Sequence, residues 1–292
     1  VELASRAVVS RAEQTELNAG NGVNGCVYLD CRHLRKALIM EKLSQIREIG
    51  IDLAGVDMIT DTIPIRPGMH YMMGGIKTDV DGQTNLPGVY AAGECACVSV
   101  HGGNRLGANS LLDTIEFGQR SGVHAAQACR DQEYIEFDVE QAARREERRI
   151  QEVIDRPQNG DRIGSVRLAM GESMNRNLAV YRDEAGMLET MHDLQGLKEK
   201  YTRVPVDNKN RVFNTDLVFA LELGFMLDCA ETIAVSALER KDSRGAQART
   251  DYPNRDDENW MKHIVTVKGE EGPEISYSPV SITRWTPEER KY

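Results

Sequence analysis

Between Gly88 and Asp113 the chain reads GVYAAGECACVSVHGGNRLGANSLLD, and no other stretch narrows its possible folds so far. An apolar run, Val89 to Ala92, predicts a short buried strand that ends at Gly93 and the acidic Glu94. The glycine-rich loop HGGNRLGANS follows. A helical pattern then begins near Asn109 or Ser110, both good N-cap residues, and continues through Leu111 to about Arg130. A strand that delivers a carboxylate, then glycines and a fresh helix start, is the arrangement of a nucleotide site. A carboxylate at Glu94 can accept hydrogen bonds from ribose or ribityl hydroxyls. The helix start offers unbonded N–H groups and the positive end of a dipole. Glycines let backbone approach a flat ring closely. The plainer alternative is a loop that only turns the chain.

Arg105 lies in that loop between Gly103 and Gly107, with nothing obvious in the sequence to pack against. Its forked guanidinium suits a carboxylate, and equally a surface ion pair. His70 stands between Pro67-Gly68 and Met72-Met73-Gly74-Gly75. An imidazole beside such a turn can donate to a ligand carboxylate, or serve the structure alone. The chain carries 36 Lys+Arg against 46 Asp+Glu, a net charge of −10. An anionic ligand must therefore be drawn by a local Arg/His cluster against the field of the whole chain. The same acidity, with aromatics at 5%, argues against nucleic-acid binding.

A chain of 292 residues suggests about two domains, and 40% hydrophobic with 28% charged residues is a globular composition. Residues 1–18 pattern as a helix, and Arg35 to Ile49 as an amphipathic helix ended by Gly50. Beyond Asp131 the character changes, and the pattern up to about residue 240 is that of a helical bundle. A heavily charged helix covers 139–155, apolar positions recur at helical spacing over 165–203, and Asn214 caps a long helix over 215–240. A polar tail closes the chain, with strand-like pieces at Ile264–Val267 and Val280–Thr283. The longest apolar stretch, Leu217 to Leu238, is interrupted by Glu222, Asp228 and Glu231, which excludes a continuous lipid-facing span. Six cysteines without a CxxC read as reduced thiols, Cys95 and Cys97 forming only a weak CxC. His33, His124, His192 and His263 lack metal-like spacing, so no metal site is expected.

The segments HYMMGGI, GVYAAGECACVSVHGGNRLGANSLLD and SRGAQARTDYPNRDDENWMKH, with the closing RWTPEERKY, resemble the flavoprotein subunit of succinate dehydrogenase and fumarate reductase. The resemblance covers essentially the whole chain. It implies an α/β plus α fold: a partial FAD-binding domain with a remnant of its capping domain, then a helical bundle and a C-terminal tail. Residues 1–60 would be the end of the capping domain and 61–130 the returning segment of the FAD-binding domain. Residues 131–244 would be the helical domain and 245–292 the tail. The family's N-terminal GxGxxG segment is not found, so the chain is expected to be the C-terminal half of such a subunit, incomplete and inactive by itself.

By the same resemblance, Glu94 holds the ribose of FAD, and Ser110 and Leu111 present backbone N–H groups to the flavin. His70 and Arg105 clamp the carboxylates of succinate or fumarate. Arg6 is the proton shuttle, although Ala7 stands where the family usually has Asp. Gln247 replaces a usual His, and Gly103 a common Ala. The implied partners are an iron–sulfur subunit and membrane anchor subunits carrying quinone. They would place the protein peripherally on the cytoplasmic face of the membrane, with no transmembrane segment of its own. An L-aspartate oxidase and a non-catalytic subunit-docking module are the competing readings.

Overall fold

The computed structural model describes residues 5–133 and 136–288. The chain divides into two compact units between Met69 and His70. Both helices and short sheets are present, as the sequence predicts.

The first unit holds helix α1 (Arg6–Asn18), strand β1 (Val27–Leu29), helices α2 (Lys36–Lys42) and α3 (Ser44–Ala54), and strand β2 (Ile63–Ile65). β1 and β2 pair antiparallel with Tyr28 opposite Pro64, and a two-stranded ribbon tolerates the missing N–H. Ile39, Met58 and Cys31 form a small core with Leu34, Leu43, Ile59 and Ile63 packed on it. The single helix expected over 35–49 is two. Leu43 leaves the helical region at φ −130° and packs into the core, and α3 then runs past Gly50 to Gly55. Gly50 does not end the helix because its carbonyl accepts the Val56 amide at 3.0 Å, closing the last turn further on. Gly55 takes the left-handed φ of 65° that ends it.

The second unit begins with strand β3 (Ile76–Lys77), which pairs in parallel with β4 (Ala96–Cys97). The expected strand over Val89–Ala92 is absent. That run instead makes a tight connection, with one antiparallel bridge between Gln83 and Tyr90 and the Ala91 amide donating to Gly82 at 2.9 Å. Gly93–Cys95 follow as a single 3₁₀ turn, so Glu94 precedes a strand rather than ending one. Helix α4 (Asn109–Asp131) is entered without a side-chain cap. Ala108, left-handed at φ 62°, makes the entry a backbone turn, and the Leu111 amide reaches the Ala108 carbonyl at 3.1 Å. Neither Asn109 nor Ser110 is the cap.

Helices α5 (Val139–Ile154), α6 (Ile163–Leu178), α7 (Glu184–Tyr201) and α8 (Thr215–Glu239) make the bundle. Asn214 caps α8 as expected, its side chain accepting the Leu217 amide at 2.9 Å. Along α8 the buried positions Ala220, Leu223, Leu227, Ala230, Ala234 and Ala237 keep helical spacing. From Leu223 onward they meet Val166 and Met170 of α6 and Met187, Leu194 and Leu197 of α7 in one core, while Ala220 packs with Val153 of α5 and Val206 in a second. No helix among the described residues is long and apolar enough to cross a membrane. A short helix α9 (Asp257–Trp260) and an antiparallel hairpin, β5 (Lys262–Lys268) with β6 (Pro273–Pro279), follow. The second strand lies before the expected 280–283. The turn closes with the Gly269 amide on the Gly272 carbonyl at 2.9 Å, which starts pairing at Pro273.

Beyond α8 the chain doubles back through SRGAQAR, and Arg249 terminates the helix. Its guanidinium donates to the carbonyls of Ala237, Leu238 and Arg240 at 3.2, 3.0 and 3.1 Å. It also forks onto Asp251 at 2.7 and 2.6 Å. Helix ends leave carbonyls without intrahelical partners, and a buried cation is well placed to satisfy them. Arg249→Ala is expected to cost about 3 kcal/mol, read as a lowered thermal midpoint, because it removes a buried guanidinium from one carboxylate and three carbonyls at once. Arg249 holds the Asp251 carboxyl at about 2, below its ordinary 3.8. That contribution is fully present above about pH 4 and disappears as pH falls through about 2, so Asp251→Asn should flatten the acid limb of a stability–pH curve.

Candidate functional site

All but one of the residues singled out from sequence lie in the second unit. The segment from His70 to Gly75 runs past both the 3₁₀ turn and the glycine-rich loop. The Met72 amide donates to Glu94 Oε1 at 2.9 Å, and the Arg105 amide donates to Met73 Sδ at 3.0 Å. One extended segment is thus joined on one side to the candidate ribose ligand and on the other to the candidate carboxylate clamp.

Gly75 makes this close passage possible. Its φ is 139°, and a Cβ built there would lie 2.5 Å from the Cys95 carbonyl oxygen. Only a residue without a side chain lets β3 start that close to the 3₁₀ turn. A second close approach fixes the loop itself. The Ala246 amide donates to the Gly103 carbonyl at 2.8 Å, and a Cβ on Gly245 would lie 2.1 Å from that same oxygen. The glycine-rich loop is therefore held by the turn that follows the bundle. Ser99 Oγ and His263 Nε2 lie 2.7 Å apart, a further tie from the C-terminal hairpin to the start of the loop.

Arg105 is not the unpacked surface cation that its glycine neighbours suggest. The residue is 8% exposed, and its guanidinium carbon lies 4.3 Å from the centre of the Tyr71 ring. One terminal nitrogen donates to the Leu106 carbonyl at 3.0 Å. Beneath the ring, the Tyr71 hydroxyl donates to Asp113 Oδ2 at 3.1 Å, and His101 Nε2 meets the same oxygen at 3.2 Å. The two rings stand edge to face with centres 5.6 Å apart. Burial raises the pKa of the Tyr71 hydroxyl, and the carboxylates of Asp113 and Glu94 add to the rise while Arg105 opposes it.

His70 and Glu94 are exposed, Ser110 is half-buried, and Leu111 is exposed in the first turn of α4. Arg6 is the first residue of α1, exposed, and belongs to the other unit. Sequence reasoning missed Tyr71, His101 and Asp113. A signal for two of them was available: His101 and Asp113 bracket the loop that carries Arg105, a base and an acid at either end of one glycine-rich segment. Tyr71 gave no such signal, because its role depends on a residue 42 positions away.

The start of α4 fits a flavin. Helix-start amides and the acceptor Glu94 can hydrogen-bond a ligand there, and the exposed apolar side chains of Leu106, Leu111 and Leu112 offer surface suited to a flat ring. The Leu111 amide is already engaged by Ala108, so a flavin acceptor would share it or rely on Ser110.

Comparisons with known proteins show which families the chain is similar to. The family model described as fumarate reductase flavoprotein C-term matches residues 167–292, and an FAD binding domain model matches residues 1–111. The fumarate reductase flavoprotein subunit of Mycobacterium tuberculosis is 42% identical over 302 residues, covering 100% of this chain and 52% of the relative. The succinate dehydrogenase flavoprotein subunit of Rickettsia conorii is 38% identical, covering 98% of this chain and 50% of the relative. A solved quinol fumarate reductase of E. coli superposes with a TM-score of 0.92 at 37% identity, over 99% of this chain and 50% of that one. The chain spans about half the length of the curated relatives it matches.

Gly75→Ala forces a side chain against the Cys95 carbonyl at a backbone angle that disfavours it. It is expected to cost about 2 kcal/mol, measured by chemical denaturation, with faster proteolysis of the second unit.

Proposed function

Because the chain belongs to the family of fumarate reductase and succinate dehydrogenase flavoprotein subunits, we propose that it contributes to an FAD-dependent enzyme that interconverts succinate and fumarate. Bound flavin supplies a two-electron hydride acceptor or donor. The chain's own residues do the rest. Glu94 has one carboxylate oxygen on the Met72 amide and keeps its second for a ribose hydroxyl. Ser110 and Leu111, at the positive end of the α4 dipole, favour negative charge on the ring.

Arg105 and His70 grip the carboxylates of the substrate. Gripping both fixes the reacting carbons in one orientation and removes the entropy of finding it. A cation on the carboxylate next to the carbon that gains negative character also stabilises that charge as it develops. Arg6 moves the proton at the other carbon. Residues 1–60 act as the end of the capping domain. Electrons leave through an iron–sulfur subunit to a quinone held by membrane anchor subunits, which keep this chain on the cytoplasmic face. The solved relatives include a quinol-fumarate reductase with menaquinol molecules and a Mycobacterium smegmatis Sdh1 in complex with UQ1, which supports a quinone as the terminal partner.

The observation that carries this reading is the buried Arg105. In a chain of net charge −10, a guanidinium is held beside the segment that carries His70, on the loop that leads into the flavin-facing helix. In the complete subunit assembled with its partners, Arg105→Ala is expected to lower succinate oxidation by about 1,000-fold. Flavin content by absorbance should stay unchanged. Wild-type turnover in that variant overturns the proposal.

A further inference from the structure

The contacts around Arg105 extend beyond the residues that would touch substrate. An arginine has a long side chain with many rotamers, and each one frozen on binding weakens the grip on a ligand. A clamp works best when its fork is aimed before the carboxylate arrives. Here the guanidinium lies over the Tyr71 ring, 4.3 Å from its centre. The ring's own orientation is set from its far end, where the hydroxyl donates to Asp113 Oδ2 at 3.1 Å. His101 Nε2 approaches the same oxygen at 3.2 Å and the Tyr71 hydroxyl at 3.4 Å.

The cluster joins three pieces of chain. Tyr71 comes from the segment that follows His70, His101 from the loop that leads to Arg105, and Asp113 from the first turns of α4. The Asp113 and His101 side chains are only 5% and 9% exposed. A buried carboxylate is expensive unless it receives good donors, and here both of its donors converge on one oxygen. Filling the same space with apolar side chains would stabilise the fold as well, but it would leave the ring free to tilt. A phenylalanine in place of Tyr71 would keep the face and lose the anchor.

We infer that Tyr71, anchored by Asp113 and His101, is a positioning residue that aims the Arg105 guanidinium at the substrate carboxylate. The inference rests on the reading of Arg105 as a dicarboxylate clamp. Tyr71 supplies the surface on which the guanidinium rests, Asp113 fixes the tilt of that surface, and His101 completes the carboxylate's hydrogen bonding. None of the three needs to touch substrate or take part in a bond change.

The test is a double-mutant cycle in the complete subunit, read at equilibrium by the flavin absorbance change on titration with malonate, a dicarboxylate that cannot be dehydrogenated. Arg105→Ala is expected to weaken malonate binding by about 100-fold. Tyr71→Leu should weaken it by about 10-fold in the parent and by less than about 2-fold in the Arg105→Ala background. Tyr71→Phe should stay within about 3-fold of the parent, because it keeps the ring. Steady-state kinetics should show the Tyr71→Leu loss in the KM for succinate, with kcat within about 3-fold. Where Tyr71→Leu fails to retain flavin, Asp113→Asn carries the same cycle, with a loss of about 3-fold in the parent and none without Arg105. Equal losses with and without Arg105 overturn the positioning role and leave the clamp intact. Undiminished malonate binding in Arg105→Ala overturns the clamp, and the positioning role with it.

Discussion

The fold of the second unit depends on how one helix ends. Arg249 takes the last carbonyls of α8 and forks onto Asp251, and this gathers the chain into a turn where it would otherwise run on. Asp242, fully buried, receives Arg240 and Arg244 in the same place. The buried carboxylate has its two guanidiniums, and the buried guanidinium has the helix-end carbonyls and Asp251, so each has its polar groups satisfied by its own partners. Either alone would be a costly guest in an apolar junction. Because the turn closes this way, the Ala246 amide reaches the Gly103 carbonyl, and the bundle is tied to the loop that bears Arg105.

The site is therefore held from outside its own segment of chain. The loop is pinned at Gly103 by the turn beyond the bundle and at Ser99 by His263 of the C-terminal hairpin, and Lys77 of β3 reaches Ser278 at 3.2 Å. A two-residue parallel pair such as β3–β4 has little stability of its own. The local sheet is too small to act as the scaffold, and the helices and hairpin supply the rigidity. The C-terminal half of the chain thus holds the candidate loop in place, although none of its residues is a candidate to touch substrate.

What the sequence made legible was local. Asn214 as a cap, the charged helix over 139–155 and the spacing along α8 are each decided within a turn or two of helix, and they stand as read. The readings that failed were decided at a distance. Leu43 breaks a helix because a core pulls it inward, and Val89–Ala92 folds into a loop because its carbonyl and amide partners lie in the preceding turn. Ala108 replaces the obvious caps because a backbone turn already engages the first amides. At the candidate site the same division holds. Glu94, His70 and Arg105 stand out by residue type between glycines. Tyr71 looks like any aromatic until Asp113 is folded against it.

Gln247 stands where the resembling family usually has histidine. Its amide nitrogen donates to the Ala237 carbonyl at 3.1 Å while its oxygen accepts from Arg182. Burial and the nearby Arg249 lower the Arg182 pKa to about 10, still far above neutrality. An imidazole in that position would gain and lose charge as the surroundings turned mildly acidic, and the amide does not. At position 247, then, the contacts to Ala237 and Arg182 are made by a side chain that stays neutral through that range.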